Sequence, residues 1–412
     1  MNNLRNFVLI ITKTLIGVEN GLSKIKPPGF IPFNEIKNIL FLRTDRIGDA
    51  VNTVVLCEII KKNFPSKRLY ILASPYNAFV FQRLLEIGII EKIYKLNLTR
   101  KTSKYYHPLI LPLLSPLEIM LHFFFSTNAS INEVSNRLKG EQVDLLVDLV
   151  GMRRSLIIKR KANIRYSIGM CPGFGWLHTY SEPATWIYPE RKLIVDRYLS
   201  VLSRAIQVKF EKKVSLALLP IREPIKLVKE KYDLLFYVGG GSLRKLPLSR
   251  LIDLVKLLSK KGLKILMIDD SSHKTISKIP QLKAIDFVSH QITIEEIAWI
   301  AQEKCQLILI FDGGMAHYLS TFNKALVIFG PGDHEIWAPW DKNGYAIKKV
   351  YPNDIVVKQS QERKHRIFFK KVRCCPCFDI GCLEKTCLDF NQNELNYIAE
   401  NIMEMMNEDQ WQ

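Results

Sequence analysis

The sequence of 412 residues has no uninterrupted apolar run of about 20 residues, the length a bilayer-spanning helix needs. Two stretches come nearest. Residues 7–18 (FVLIITKTLIGV) are broken by Lys13 and predict a helix lying on a membrane surface rather than crossing it. A basic start without a small-residue cleavage site argues against a secretory signal. Residues 108–125 carry Pro108, Pro112, Pro116 and Glu118, and prolines at that density break a helix. They predict an apolar insertion that dips into the membrane interface, and for both stretches the plain alternative is burial against the main body. The cysteines do not form a disulfide framework. Cys57, Cys171 and Cys305 stand alone near apolar segments, and the other five of the eight crowd between Cys374 and Cys387. A secreted, disulfide-stapled domain distributes them differently, so a reducing cytoplasm is expected. One Cys-x-x-C is present and no second pair, although thiolates at such short spacing suit zinc or an iron–sulfur cluster.

Other absences narrow the function. Without G-x-G-x-x-G a dinucleotide-dependent oxidoreductase is disfavoured, and without G-K-[ST] there is no P-loop. No metal-binding D-x-D stands out, and the adjacent Asp269 and Asp270 read as a solvated turn, so no metal and no cofactor are expected. No RNA-binding aromatic motif is present, which argues against a nucleic-acid partner.

What the chain has in excess is positive charge. Lys and Arg number 59 against 40 Asp and Glu, a net charge of +19. Such a balance favours polyanionic partners, whether nucleic acid, anionic lipid or phosphorylated substrates. One basic cluster is Arg153, Arg154, Lys159, Arg160, Lys161 and Arg165; another is Arg363, Lys364, Arg366, Lys370, Lys371 and Arg373. Both are read as attraction to phosphorylated lipid head groups at the cytoplasmic leaflet, against the plain alternative of solvated helix faces. Apolar residues at 48% and charged residues at 24% give an ordinary globular balance over two or three domains.

Short apolar runs alternate with helical spacing. Strands are predicted at 38–43, 69–73 and 143–149, with helices at 50–64 and 152–161. After a helix at 191–206 and a charged crossing with Pro220 and Pro224, the pattern restarts. Strands follow at 234–238, 263–268, 284–288, 307–311 and 325–329, with helices at 247–261, 294–301 and 315–321. Leu395, Ile398, Ile402 and Met405 mark a last helix. The expected architecture is α/β: two doubly wound, Rossmann-like parallel sheets facing a cleft, with ligands at the carboxyl ends of strands.

Three strand-to-helix loops carry candidate chemistry. In Arg43-Thr44-Asp45-Arg46-Ile47-Gly48-Asp49 a carboxylate sits at the strand's carboxyl edge, where the plain alternative is a helix N-terminal carboxylate favoured by the dipole. In Gly239–Arg244, backbone amides with Arg244 and Lys245 can hold phosphate oxygens. In Asp312-Gly313-Gly314-Met315-Ala316-His317, two glycines permit close backbone approach, and Asp312 and His317 are candidates to face a ligand.

Together these residues resemble glycosyltransferase family 9, the ADP-heptose:lipopolysaccharide heptosyltransferases. The carriers are residues 39–43 running into Asp45–Asp49; Val147-Asp148-Leu149 with Gly151, Arg154 and Ser155; the glycine loop ending in Lys245-Leu246-Pro247; and Asp312–His317 with residues 329–333 and Trp337-Ala338-Pro339-Trp340. The resemblance implies a GT-B fold and an inverting, metal-independent transfer from a nucleotide-sugar donor, ADP-heptose, to a phosphorylated glycolipid acceptor of the lipopolysaccharide type. It places Asp49 as the general base with Arg46 and Gly48 on the acceptor side. Gly240, Gly241, Arg244, Lys245, Asp312, Gly313, Gly314 and His317 are implied to bind the donor, and the terminal helix to pack back across the domains. Family members often carry cysteines where Cys374–Cys387 stand, so reduced structural thiols are expected there.

The chain departs from the family pattern. Arg244 takes a Lys position and Leu246 a Trp position, and Gly313 stands where the family has Ser or Thr. After the strand at 263–268 the family has glycines and an acidic residue that helps hold the nucleoside, and here Asp269-Asp270-Ser271-Ser272-His273 follows, with His273 near the acidic position; the insertion at 101–130 has no counterpart in the pattern. The expected organisation is an N-terminal apolar and basic segment at 1–30, an acceptor domain at 31–210 with an insertion at 101–130, a linker at 211–230, a donor domain at 231–390 and a C-terminal helix at 391–412. The expected location is cytoplasmic and peripheral, on the inner face of the cytoplasmic membrane. Two alternatives stand beside the lead: a GT-B transferase using another nucleotide sugar for capsule or O-antigen, and a catalytically idle basic protein that binds anionic lipid.

Overall fold

The computed structural model describes residues 29–97, 129–151, 153–169, 178–181, 191–214, 219–224, 228, 230–239, 245–269, 286–289, 292–377, 382 and 385–408. The apolar stretch 7–18, residues 101–128 of the insertion, Cys171, Gly240, Gly241, Arg244 and residues 270–273 lie outside the described residues. The chain divides into two compact units, one ending at Leu218 and the other continuing from Leu219 and including residues 192–194.

The first unit is built on a parallel sheet. Its strands are β1 (Asn38–Arg43), β2 (Arg68–Ala73), β3 (Lys92–Lys95), β4 (Leu145–Asp148), β5 (Tyr166–Gly169) and β6 (Tyr180–Ser181). The sheet order is β3-β2-β1-β4-β5-β6, and every pair is parallel. Strands buried on both faces read as continuous apolar runs, as Ile39–Leu42 does. Helix α1 (Ile47–Asn63) is buried on nearly every side, through Ala50, Val54, Val55, Ile59 and Ile60. It stops at Phe64, the residue before Pro65, where the α conformation is disfavoured. The unit's other helices are α2 (Gln82–Glu86), α3 (Ala129–Gly140), α4 (Arg153–Lys161) and α5 (Ile194–Ile206). The chain goes one way from β1 to β2 and β3 and returns to β4 on the other side. The switch point of this sheet therefore lies between the carboxyl ends of β1 and β4.

The second unit repeats the plan. Its strands are β7 (Tyr232–Tyr237), β8 (Ile265–Asp269), β9 (Asp286–Ser289), β10 (Cys305–Phe311), β11 (Ala325–Phe329), β12 (Tyr345–Tyr351), β13 (Ile355–Ser360) and β14 (Arg366–Lys370), in the order β12-β13-β14-β11-β10-β7-β8-β9. Its helices are α6 (Leu248–Lys260), α7 (Ile294–Glu303), α8 (Gly314–Leu319), α9 (His334–Trp337) and α10 (Gln392–Asn407). Here the switch point lies between β7 and β10. The apolar face of α6 (Leu251, Leu254, Val255, Leu258) and that of α10 (Leu395, Ile398, Ile402, Met405) share one core with the sheet. The terminal helix, expected to run back across the domains, thus spends its apolar face within the second unit.

The antiparallel extension β12–β14 was not expected from sequence. Its edge strand carries Lys348 and Lys349 and is exposed over five consecutive residues, so it shows no apolar alternation, and charged edges are a common protection against strand addition. Its turn holds Asn353 and Asp354 at φ 59° and 58°, the left-handed region that Asn and Asp tolerate best. The second basic cluster also needs correction. Arg366 is fully buried, and its guanidinium meets Asn401 Oδ1 at 2.9 Å, Glu404 at 3.0 Å and Glu408 at 2.8 Å. Arg363 donates to the carbonyls of Ser320 and Thr321, and Lys370 pairs with Glu394 at 2.9 Å. These three cations hold the second unit together and are not a lipid-facing patch; only Lys364, Lys371 and Arg373 of the cluster are exposed.

Candidate functional site

In the first unit, the charged loop leaves β1 at the switch point. Asp148 ends the neighbouring β4 fully buried, and its Oδ1 accepts from the amides of Val150 and Gly151 at 3.0 and 2.8 Å. The Asp148–Gly151 motif therefore closes its own loop. On the other side Asn77 is buried, and its Nδ2 donates to the carbonyls of Arg43 and Asp45 at 3.1 and 3.3 Å. Its Oδ1 is held by the amide and hydroxyl of Ser74. The backbone that presents Asp45 is thus fixed before any ligand arrives.

At the centre stands Arg43, 1% exposed. Nε donates to Thr53 Oγ1 at 2.9 Å, Nη1 to Asp45 Oδ2 at 2.8 Å and Nη2 to the Tyr198 hydroxyl at 2.8 Å. Asp49 Oδ1 lies 3.9 Å from Nη1, an ion pair beyond hydrogen-bond distance. Burial opposes the charge on Arg43, but Tyr198, Asp45 and Asp49 outweigh it and hold the guanidinium protonated. Burial raises the Asp45 carboxyl against the pull of Arg43, and pushes the Tyr198 phenol up to about 12. Asp49 is 15% exposed on the first turn of α1. Arg46 caps that helix by backbone only and is exposed, while Gly48 is buried.

In the second unit, Asp312 continues β10, its amide donating to the Ile328 carbonyl at 3.0 Å. Asp312 and His317 are both buried, at 4% and 6% exposure. Gly313 and Gly314 open α8, with Gly313 as the N-cap residue. At Gly332 a β-carbon would stand 2.2 Å from Asp312 Oδ2, so the Gly330–Asp333 loop closes directly over that carboxylate. At the switch point between β7 and β10 lies a cavity of about 200 Å³, lined by Val238, Lys245, Leu246, Leu251, Phe311 and Lys385 among others. It is apolar with two lysines, a composition suited to a ligand with a flat apolar part and an anionic part. Among the described residues, no group of three or more His, Cys, Asp or Glu side chains is arranged to hold a metal.

The sequence offers Asp49, Lys245, Asp312 and His317 as candidates, each of which lies near a switch point of its sheet, and gives no role to Arg43, Tyr198, Asn77, Gly332 or Lys385. A charged residue closing an apolar buried strand was the available signal for Arg43, since a buried cation requires partners. Nothing in the local sequence marks Tyr198 or Lys385.

Two doubly wound α/β units, each with charged side chains at its switch point, define the GT-B class of glycosyltransferase folds. The fold is similar to that of a family 9 glycosyltransferase from Veillonella parvula, with a TM-score of 0.61 at 12% identity over 89% of this chain and 97% of that one. It is similar also to the E. coli ADP-heptose lipopolysaccharide heptosyltransferase II, with a TM-score of 0.58 at 12% identity over 90% and 99%. The E. coli heptosyltransferase WaaC with ADP gives 0.53 at 13% identity over 74% and 90%. No protein-family model matches the sequence, and no curated protein matches it significantly.

Proposed function

We propose that the protein is an inverting, metal-independent glycosyltransferase that moves a heptose from a nucleotide-sugar donor to a phosphorylated, lipopolysaccharide-type acceptor. The observation that carries this reading is Asp49, a partly exposed carboxylate at the switch point of the first sheet, beside a buried guanidinium. The acceptor hydroxyl attacks the anomeric carbon and gives its proton to Asp49. As the new carbon–oxygen bond forms, the bond from the anomeric carbon to the donor phosphate oxygen breaks, and the nucleoside diphosphate leaves with its electron pair. Departure needs positive charge and oriented dipoles at the phosphates. Lys245, Lys385, His317 and the amides of Gly313 and Gly314 are the groups of the second unit suited to that task, with Gly240, Gly241 and Arg244 assigned alongside them from the sequence. ADP is the nucleoside diphosphate in the E. coli relative's structure, which makes ADP-heptose the first donor to try.

The test is a panel of nucleotide sugars titrated into the purified protein, followed by turnover with a lipid A–core acceptor. Binding of none of them would sink the reading. A second reading, transfer of another nucleotide sugar into capsule or O-antigen, has one observation in its favour. Where the family has a hydroxyl residue this chain has Gly313, and a β-carbon there would meet nothing closer than 4.0 Å. That space sits next to Asp312 and suits a different donor.

The reading includes a peripheral place on the cytoplasmic leaflet. It is supported by the net charge of +19 and by exposed Arg160 and Arg165 at and after the end of α4. Among the described residues no helix is long and apolar enough to cross a membrane. Salt-sensitive binding to anionic vesicles, weakened by removing residues 1–20, is the expected result. Equal binding to neutral vesicles at all salt concentrations would overturn the electrostatic part.

A further inference from the structure

Two carboxylates flank the same guanidinium, and their geometry differs. Asp45 Oδ2 takes a hydrogen bond from Arg43 Nη1 at 2.8 Å, whereas Asp49 Oδ1 stands 3.9 Å from that nitrogen. A charge-assisted bond at the shorter distance occupies a lone pair; the longer separation leaves the lone pairs of Asp49 open to another donor. Arg43 also fixes Asp49 through the backbone. Its Nε grips Thr53 Oγ1, and that hydroxyl donates to the Asp49 carbonyl at 2.9 Å, one turn back along α1. The remaining arm, Nη2, is anchored on Tyr198 of α5. The guanidinium therefore ties β1, the first turn of α1 and α5 to one point, with no freedom to slide toward Asp49 while Asp45 holds it.

We propose that Arg43 is the positioning residue for the base, and that Asp45, by engaging Arg43 in the short bond, decides that Asp49 takes the acceptor's proton. This rests on the glycosyltransferase reading above. The charged and titratable groups that interact with Asp49 among the described residues are Arg43 from β1, Asp45 from the loop and Tyr198 from α5. Taking away the cation leaves Asp49 without the group that fixes it. Taking away Asp45 releases the guanidinium to close on Asp49 and occupy its lone pairs.

The experiment is kcat, with KM for the donor measured alongside, in Arg43→Met, Arg43→Lys and Asp45→Asn. In Arg43→Met kcat should fall tenfold or more with donor KM unchanged. In Arg43→Lys kcat should recover in part, staying several-fold below the parent because the fork is lost. In Asp45→Asn kcat should fall several-fold, again with donor KM unchanged. A merely structural role would raise donor KM as kcat falls and would show no rescue by Lys. If Arg43→Met does not fold, Asp45→Asn and Arg43→Lys decide: parent-like kcat in Asp45→Asn overturns the proposal. If the parent turns over no nucleotide sugar, the functional reading fails. The arrangement is then still read from a crystal structure of Asp45→Asn, in which Arg43 Nη1 must close on Asp49; an unchanged separation overturns it.

Discussion

Gly332 packs so tightly against Asp312 that a single added methyl would overlap the carboxylate, the gap from a built β-carbon to Oδ2 being 2.2 Å. Gly332 is therefore glycine for clearance, and what it clears is one side of the candidate donor loop. Gly332→Ala should displace Asp312 and cost about 1–3 kcal/mol of stability, the usual range for overpacking. Nucleotide affinity should fall tenfold or more. Gly313→Ser, with no atom closer than 4.0 Å to the new β-carbon, should leave the melting temperature unchanged. Calorimetry of the two variants with ADP separates these outcomes; equal nucleotide affinity in Gly332→Ala and parent would remove Asp312 from the site.

Asp49→Asn keeps the size of the side chain and removes its basicity. Turnover should fall roughly 10²–10⁴-fold, the range for loss of a general base. Donor affinity should hold, because the groups assigned to the donor belong to the second unit. Steady-state kinetics and donor titration on one preparation give both numbers, and near-normal turnover would transfer the role to Asp45.

Two buried histidines set the response to acid. Burial, with Lys159 adding to it, lowers His178 to about 3. Burial, with Arg363 adding to it, lowers His365 to about 3, and the neutral ring accepts the Ala325 amide at Nδ1. The unfolded chain protonates both near the ordinary value of about 6.5. Stability from keeping them neutral is complete above that value and drains away as pH falls from about 6.5 toward 3. Each histidine contributes a slope of about 1.4 kcal/mol per pH unit. Urea midpoints measured down this window should decline, and His365→Asn, which keeps an acceptor, should flatten the decline of the second unit only.

The cysteine segment predicts a thiol with unusual acidity. Cys387 is drawn down to about 7 by a hydrogen bond from Cys375, whose own thiol is pushed up by that partnership. Ultraviolet thiolate absorbance should therefore show one cysteine ionising near neutrality, and Cys375→Ala should return it to the ordinary range. The same segment touches the loop that closes over Asp312: Cys375 Sγ lies 3.5 Å from the Gly330 carbonyl, and the Cys377 amide donates to the Pro331 carbonyl at 2.8 Å. Alkylation of Cys387 should therefore weaken nucleotide binding.

The longer parallel strands and the loops after them were readable from sequence because buried strands announce themselves as apolar runs and the loops as charge or glycine beside them, whereas the short β3, β5 and β6 of the first sheet, two to four residues each, carry too little pattern and were missed. Asn38–Arg43 and Leu307–Phe311 are of this kind. The region from Tyr345 to Lys370 was not readable. Its edge is basic and exposed, and its one buried arginine looks in sequence like part of a solvated cluster. Around Asp49 the carboxylate itself was legible, but its partners were not. Tyr198 comes from 149 positions further along the chain and Asn77 from 28, and nothing local encodes either contact. At the second site, Gly332 and Lys385 act through clearance and cavity lining, which only the folded arrangement reveals.

The burial of Arg366 has a consequence for how the chain comes into being. A ribosome emits β14, with its arginine, well before Asn401, Glu404 and Glu408, which receive that charge. Until Glu408 has emerged, closing the second sheet would bury the Arg366 guanidinium with Gln359 as a partner but without its carboxylates, so that unit is expected to wait. The first unit's sheet and helices have been synthesised by then and are expected to fold ahead of it, following the N-to-C order of domain folding during synthesis. Nascent second-unit chains halted between β14 and α10 should therefore depend on chaperones far more than released ones.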